Sequence, residues 1–307
     1  MSLRFVAPSA TSIADVLSRV GLDARGAQQA IADGRVFLGR QRVARGDLEV
    51  PAGAEVLVHP PREEVVLPEP FVLLDRDGVL VVDKPAGVPT VPDVVGAQGS
   101  LVDLAARATG RSRDQLHPTS RLDRDVSGIV TFALTEAARD ALHRAREEHR
   151  YLRRYVAIAC GELPDEARWT WSIDRARDPR LRRAVKPPEG KESATRVRVV
   201  SRSTVGRARF ALLAVAPETG RTHQIRVHAS AAGAPLVGDR DYGGPIRLTT
   251  ATGKVLPFGR VALHCARVEV DYGDCMIRVA SPVSRELVEL AGALGLGGFE
   301  EAITCEL

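Results

Sequence analysis

The sequence predicts an α+β protein, with a large domain built on a largely antiparallel mixed sheet after a small α/β domain. Three observations carry this. Strand-like runs far outnumber helical ones beyond residue 66, which is the signature of helices segregated around an antiparallel sheet. A segment with two prolines and a charge run, Pro60-Pro-Arg-Glu-Glu, opposes regular structure and divides the chain near residue 65. The 307 residues, 44% of them apolar, are enough to bury one large core or two smaller ones. The expected domains are therefore 1–65 and 66–307.

From Thr11 to Ile31, apolar Ile13, Val16, Leu17 and Val20, then Ala27, Ala30 and Ile31, recur at helical spacing and are interrupted at Gly21 and Gly26. This predicts two short helices. Arg35 to Leu38, Arg42-Val43 and the stretch Gly46 to Val58 predict short strands separated by turns. In the second domain, Gly78 to Val82 is an apolar strand, and Ser100 with Asp103 three residues on resembles a capping box opening a helix through Arg107. Gly128 to Leu134 predicts another strand, followed by a helix from Thr135 to about His149. Further strands are expected at Tyr155 to Ala159, Thr195 to Ser201, Ala208 to Ala216 and Val261 to Val270, and a loose turn at Gly295-Leu-Gly-Gly. The basic stretch Arg175, Arg177, Arg180, Arg182, Arg183 and Lys186 reads as a solvated loop suited to tracking phosphates.

No leading apolar segment and no run long enough to span a membrane is seen in the sequence, so export and membrane insertion are not expected. Four cysteines without metal-ligand spacing predict reduced thiols in a cytoplasm rather than a disulfide framework. The net charge is +4 and the pI near 9.1. Of the 43 basic residues, only Lys84, Lys186, Lys191 and Lys254 are lysine. Guanidinium groups fork onto phosphates and stack on bases, which suits RNA. The same bias also follows from a genome rich in G and C.

Two segments carry candidate chemistry. Ser120 to Gly128 reads Ser-Arg-Leu-Asp-Arg-Asp-Val-Ser-Gly, and Gly220 to His228 reads Gly-Arg-Thr-His-Gln-Ile-Arg-Val-His. Taken alone, such a charged run is most often a solvated patch. Its position just before an apolar strand mounts Asp123 at a rigid sheet edge, where functional groups are commonly placed. A carboxylate that attacks a sugar carbon must stay ionised in a dry site, and an arginine offsets the cost of burying it. Arg226 is the preferred partner: Thr222 is expected to cap a short helix with Ile225, Ala229 and Ala232 inward, leaving Arg226 and His223 side by side. A structural ion pair or a free surface arginine is the alternative. His223 and His228 are five apart, which fails the spacing of a helical metal pair, so no metal is expected. With Gln224 they read as polar supports or RNA contacts, His228 more as a structural residue. Asp125 reads as supporting or surface, because positions two apart do not normally converge. Tyr155 reads either as a strand-edge aromatic with its hydroxyl in water or as a flat face for a base with a phenol available for proton transfer.

In order along the chain, Lys84-Pro-Ala-Gly-Val-Pro89, Arg121-Leu-Asp-Arg-Asp-Val-Ser-Gly128, Arg154-Tyr155-Val-Ala, Gly220-Arg-Thr-His-Gln-Ile-Arg-Val-His228, Gly238-Asp-Arg-Asp-Tyr-Gly243 and Leu263-His264-Cys-Ala form a set that resembles the RluA-type family of RNA pseudouridine synthases. The likeness covers about residues 70 to 285. It implies the pseudouridine synthase fold, Asp123 as the catalytic aspartate, Tyr155 as the active-site tyrosine and Arg226 as the partner of Asp123. It also implies Leu263 as a pocket-lining residue. Arg121, Arg221, His223 and Gln224 are further expected substrate contacts, and neither cofactor nor metal is expected. The N-terminal segment resembles a small RNA-binding domain also found in a small-subunit ribosomal protein, carried by Gly34-Arg-Val-Phe-Leu38, Gly46-Asp47 and Ala52-Gly-Ala-Glu-Val56. The chain departs from the family in having Ser120 and Val126 where histidine and threonine are usual, with His117 displaced by three residues. Arg153 stands where lysine is common.

The resemblance implies isomerisation of uridine to pseudouridine in structured RNA. The target base leaves its stack, Arg121 is the candidate to fill the vacancy, and Asp123 either attacks carbon 1′ of the ribose or takes the proton at carbon 2′. Ribosomal RNA of the large subunit is expected over transfer RNA, and a monomer over an oligomer. The rival readings are an RNA-binding or ribosome-assembly factor with an inactive synthase domain, and a glycoside hydrolase. The latter requires a second carboxylate, and no convincing one accompanies Asp123.

Overall fold

The computed structural model describes the chain apart from residues 1–2, 40, 60–66, 70, 93–98, 179, 251–252 and 273–274. The linker expected at Pro60-Pro-Arg-Glu-Glu therefore lies outside the described residues. Two compact units are present, Met1–Val66 with Pro92–Ser100, and Leu67–Val91 with Leu101–Leu307.

In the first unit, helices Ile13–Arg19 and Ala24–Ala32 accompany an antiparallel sheet ordered Leu3–Val6, Glu55–Val58, Val36–Leu38, Gln41–Arg42. Ser12 opens the first helix in a capping box with Asp15, and the Asp23 carboxylate accepts the Gly26 N–H at the start of the second. Both devices satisfy backbone donors that a helix start leaves without partners. Ile13, Val16, Leu17, Ala30, Val36 and Val56 form the core.

The second unit is built on a ten-stranded mixed sheet. Its main path runs Glu166–Trp169, Thr195–Val205, Ala208–Pro217, Tyr151–Cys160, Leu263–Tyr272, Ser127–Ala133, Val79–Lys84, Val72–Arg76. Every pairing is antiparallel except the central one between Ser127–Ala133 and Leu263–Tyr272. Val79–Lys84 and Ser127–Ala133 are buried along their whole length, which explains their nearly unbroken apolar runs. On one face Val156, Ile158, Phe210, Leu212 and Ala214 pack against Leu287, Leu290 and Leu294. The period of two then sends Tyr155, Ala157, Leu263 and Cys265 to the other face.

Two sequence expectations change here. The basic stretch after Ser172 is a β-hairpin, Ser172–Arg175 with Arg182–Val185, because Ile173 and Val185 are buried and pin it to the body. The C-terminal helices Arg285–Ala293 and Phe299–Thr304, not anticipated from the sequence, cover the sheet on either side of the expected turn at Gly295 to Gly298. Among the described residues, no helix is long and apolar enough to cross a membrane.

Candidate active site

Asp123 sits in the loop before Ser127–Ala133, and that loop is clamped from below by the segment Lys84 to Thr90. Lys84, fully buried, donates its ammonium hydrogens to the carbonyls of Pro85 at 3.0 Å, Val88 at 2.7 Å and Arg124 at 2.9 Å. Burial pushes Lys84 down to about 7, while Asp123 and Asp125 favour its charged form. Thr90 Oγ1 donates to the Leu122 carbonyl at 2.9 Å and accepts the Leu122 N–H at 3.1 Å. A carboxylate on such a loop has little backbone freedom left to lose on reaction.

Gly128 continues the loop into the strand with φ +112°, and a Cβ there would lie 2.3 Å from the Cys265 carbonyl oxygen. Only glycine allows the two central strands to approach this closely. Ser120 has a structural role that accounts for its presence before Arg121: its Oγ accepts the Thr131 N–H at 3.1 Å.

Arg226 lies on the helix Gln224–Ala231 and is 6% exposed. The cap differs from the expected one. His223, not Thr222, is the N-cap residue, held in the left-handed region at φ +57° with no side-chain cap. The helix is also buried on nearly every side, from Gln224 to Ala229, because the sheet and the 172–185 hairpin both contact it. Arg226 and His223 nonetheless address the same carboxylate oxygen. Arg226 Nη1 donates to Asp123 Oδ2 at 3.0 Å, and His223 Nε2 stands 3.9 Å from it.

The guanidinium is not devoted to Asp123. Its Nε and Nη2 fork onto Asp239 at 2.8 Å each, and Nη2 also donates to Asp241 at 2.8 Å. Asp239 is 0% exposed, and its two oxygens fix the plane of the guanidinium so that Nη1 aims at Asp123. The Tyr242 ring lies against the other side, 4.9 Å from Arg226 Cζ. These three residues come from Gly238-Asp-Arg-Asp-Tyr-Gly243, a segment noticed in the sequence without roles for its side chains. Three carboxylates around one arginine across a hundred residues leave no local spacing that would have revealed them.

Tyr155 is joined to the Asp123 loop through the sheet: Tyr155 pairs with Cys265, and Cys265 with Gly128. At about 4.8 Å per strand, Tyr155 and Gly128 are roughly 10 Å apart in the rung. Burial holds the Tyr155 hydroxyl well above its ordinary range, so the phenol is neutral at pH 7. Leu263, opposite Ala157, shares its face.

The other expected contacts separate clearly. Arg121 is exposed and makes no hydrogen bond or ion pair among the described residues. Arg221 is exposed, with its Nε on the Glu192 carbonyl at 3.0 Å. The expected RNA contact at Gln224 gives way to an internal role. Its amide donates to the Ala194 carbonyl and Thr195 Oγ1, and its oxygen accepts from Thr219 Oγ1 and the Arg221 N–H. That exhausts its capacity. His228 is likewise structural, bonded to Thr195 Oγ1, Ser193 Oγ and the Trp171 carbonyl.

The model of the RNA pseudouridylate synthase family matches residues 78–231, a stretch holding Asp123, Tyr155 and Arg226. The chain belongs to the RNA pseudouridine synthase family. The synthase is 33% identical over 279 residues to ribosomal large subunit pseudouridine synthase D of Xanthomonas campestris pv. campestris, covering 86% of this chain and 81% of that protein. It is 32% identical over 263 residues to the protein of the same name from Neisseria meningitidis serogroup B, covering 82% and 69%. Among solved structures, the human RNA pseudouridylate synthase domain containing 1 superposes with a TM-score of 0.56 at 25% identity, over 69% of the synthase and 82% of that chain. The synthase is thus an α+β isomerase of the pseudouridine type.

Proposed function

We propose that the synthase isomerises uridine in large-subunit ribosomal RNA, with Asp123 as the reacting carboxylate. The observation that carries this reading is the ion pair between Arg226 Nη1 and Asp123 Oδ2 at 3.0 Å. It leaves Oδ1 as the oxygen without a protein partner among the described residues. The relatives named for large-subunit synthase D align with most of the chain, which favours ribosomal over transfer RNA as substrate.

In this reading the target uridine leaves its stack and Arg121, exposed beside Asp123, fills the vacancy. Asp123 Oδ1 either attacks carbon 1′ of the ribose or removes the carbon-2′ proton, and uracil is released. The base turns against Tyr155 and Leu263, and its carbon 5 bonds to carbon 1′ as the Asp123 oxygen leaves, or as carbon 2′ regains its proton; the carbon-5 proton then passes to solvent and nitrogen 1 takes one up. Arg226 orients the carboxylate throughout, a preorganised electrostatic role that needs no rearrangement during reaction. Every step uses groups of this chain, and no cofactor or metal is invoked.

The first unit would add affinity by contacting phosphates through its exposed arginines, among them Arg19 and Arg25. The test is tritium release from unmodified ribosomal and transfer RNA carrying uridine labelled at carbon 5. Wild type should release tritium from ribosomal RNA, while Asp123→Asn should bind that RNA and release none. Comparable release by the variant would refute the role of Asp123, and release from transfer RNA alone would refute the substrate.

A further inference from the structure

Tyr242 stands at a junction. Its hydroxyl oxygen accepts the backbone N–H of Arg182 at 2.9 Å and lies 2.8 Å from His223 Nδ1. Arg182 begins the second strand of the basic hairpin, whose loop and strands carry Arg175, Arg177, Arg180 and Arg183. His223 in turn presents Nε2 to Asp123 Oδ2 at 3.9 Å. A phenol has one hydrogen to give. With the Arg182 N–H filling one lone pair, the hydroxyl hydrogen is available to His223 Nδ1 when that nitrogen is the unprotonated one.

We propose that Tyr242 is a positioning residue of the synthase: its hydroxyl, tied to the basic hairpin, donates to His223 Nδ1 and so holds the imidazole with its Nε2–H facing Asp123. This rests on the reading of Asp123 as the reacting carboxylate. With Nε2–H in place, both Arg226 and His223 present hydrogens to Oδ2, and Oδ1 is left to react. A distance of 3.9 Å is too long for a hydrogen bond, but such contacts in free enzymes commonly close when the substrate seats. The opposite tautomer would point a lone pair at the carboxylate and push it out of line. Burial lowers His223 below its ordinary value more than Asp123 raises it, and burial raises Tyr242, so both are neutral at pH 7. RNA held on the hairpin is thereby linked, through Arg182, to the orientation of the carboxylate.

The test variant is Tyr242→Phe. It keeps the ring against Arg226 and the edge contact with His223, whose centroid is 5.7 Å away, and removes only the hydroxyl. The expected result is a fall in kcat of about tenfold with KM for ribosomal RNA changed by less than about twofold, because a misaimed reactive group costs turnover more than binding. The double variant with His223→Gln should be no slower than His223→Gln alone, since the two residues act as a unit. In 15N-histidine-labelled protein, the signal lost in His223→Gln should report Nε2–H in the wild type and a mixture of tautomers in Tyr242→Phe. An unchanged kcat, losses that multiply in the double variant, or Nδ1–H in the wild type would each overturn the proposal. Asp123→Asn, assayed alongside, separates the two readings. Full activity there removes Asp123 itself, whereas an inactive Asp123→Asn beside an unimpaired Tyr242→Phe removes only the role of Tyr242.

Discussion

Replacing Arg226 by methionine tests both the stability and the chemistry of the site. Met keeps much of the side-chain volume but strands Asp239, which is 0% exposed and has its two oxygens committed to the guanidinium at 2.8 Å. Leaving one member of a buried pair without its partner costs about 3–5 kcal/mol. For a domain of this size, at about 2–4 °C per kcal/mol, the melting temperature should fall by roughly 6–20 °C. Asp123 and Asp241 add little to that cost, because their side chains are 27% and 52% exposed and remain hydrated. The double variant Arg226→Met with Asp239→Leu removes both charges and should recover most of the lost stability. It should recover none of the activity, because Asp123 still lacks its donor. Thermal unfolding by circular dichroism and tritium release from ribosomal RNA on the same preparations measure the two effects. A loss under about 1 kcal/mol in the single variant, or a double variant as unstable as the summed singles, would refute the buried-pair account.

Burial, reinforced by Arg260, lowers His264 from 6.5 to about 4. Its contribution to stability is therefore complete above pH 6.5 and lost as pH falls through about 4. Asp83, raised by burial from 3.8 to about 6, acts in the opposite sense, its contribution being lost as pH rises through about 6. The comparison of wild type with His264→Gln isolates the histidine: between pH 7 and 4.5 the variant should lose on the order of 2–3 kcal/mol less in urea unfolding, and parallel profiles would contradict this. In the first unit, Arg19→Ala with Arg25→Ala should reduce the salt slope of ribosomal RNA binding by about 2. An unchanged slope in filter binding would remove these arginines from the RNA contact.

Much of the second unit was legible in the sequence because its strands are either unbroken apolar runs, as in Val79–Lys84, or end at glycine and proline punctuation. The helix after Thr135 was legible for a local reason, since Thr135 Oγ1 accepts the Ala138 N–H as its cap. The hairpin around Arg175 to Arg183 was not, because its charges hide two buried apolar residues, Ile173 and Val185, that only packing reveals. Arg226 was picked out with Asp123, but its helix was given the wrong cap. The left-handed conformation of His223 left no signature, because outside glycine it is uncommon for any residue type and is fixed here by the surrounding packing.

The sequence by itself determined the fold class and the resemblance, through periodicity and ordered motifs. It also supplied Asp123, Tyr155 and Arg226 as the residues to consider, since a carboxylate beside a strand and an arginine on a helix are local statements. Tertiary structure alone decided what those residues face. Gly128 is required because a strand more than 130 residues away passes within contact of it. Asp239 fixes the plane of Arg226, Lys84 supports the Asp123 loop from a neighbouring strand, and Gln224 is withdrawn from solvent by Ala194, Thr195 and Thr219. In each case a deciding group lies outside the residue's own motif, 13 residues away for Asp239 and Arg226 and 40 for Lys84 and the Arg124 carbonyl. The strength of a charge or hydrogen bond depends on burial and on a partner within about 3 Å, and neither is a property of the residue's own stretch of chain.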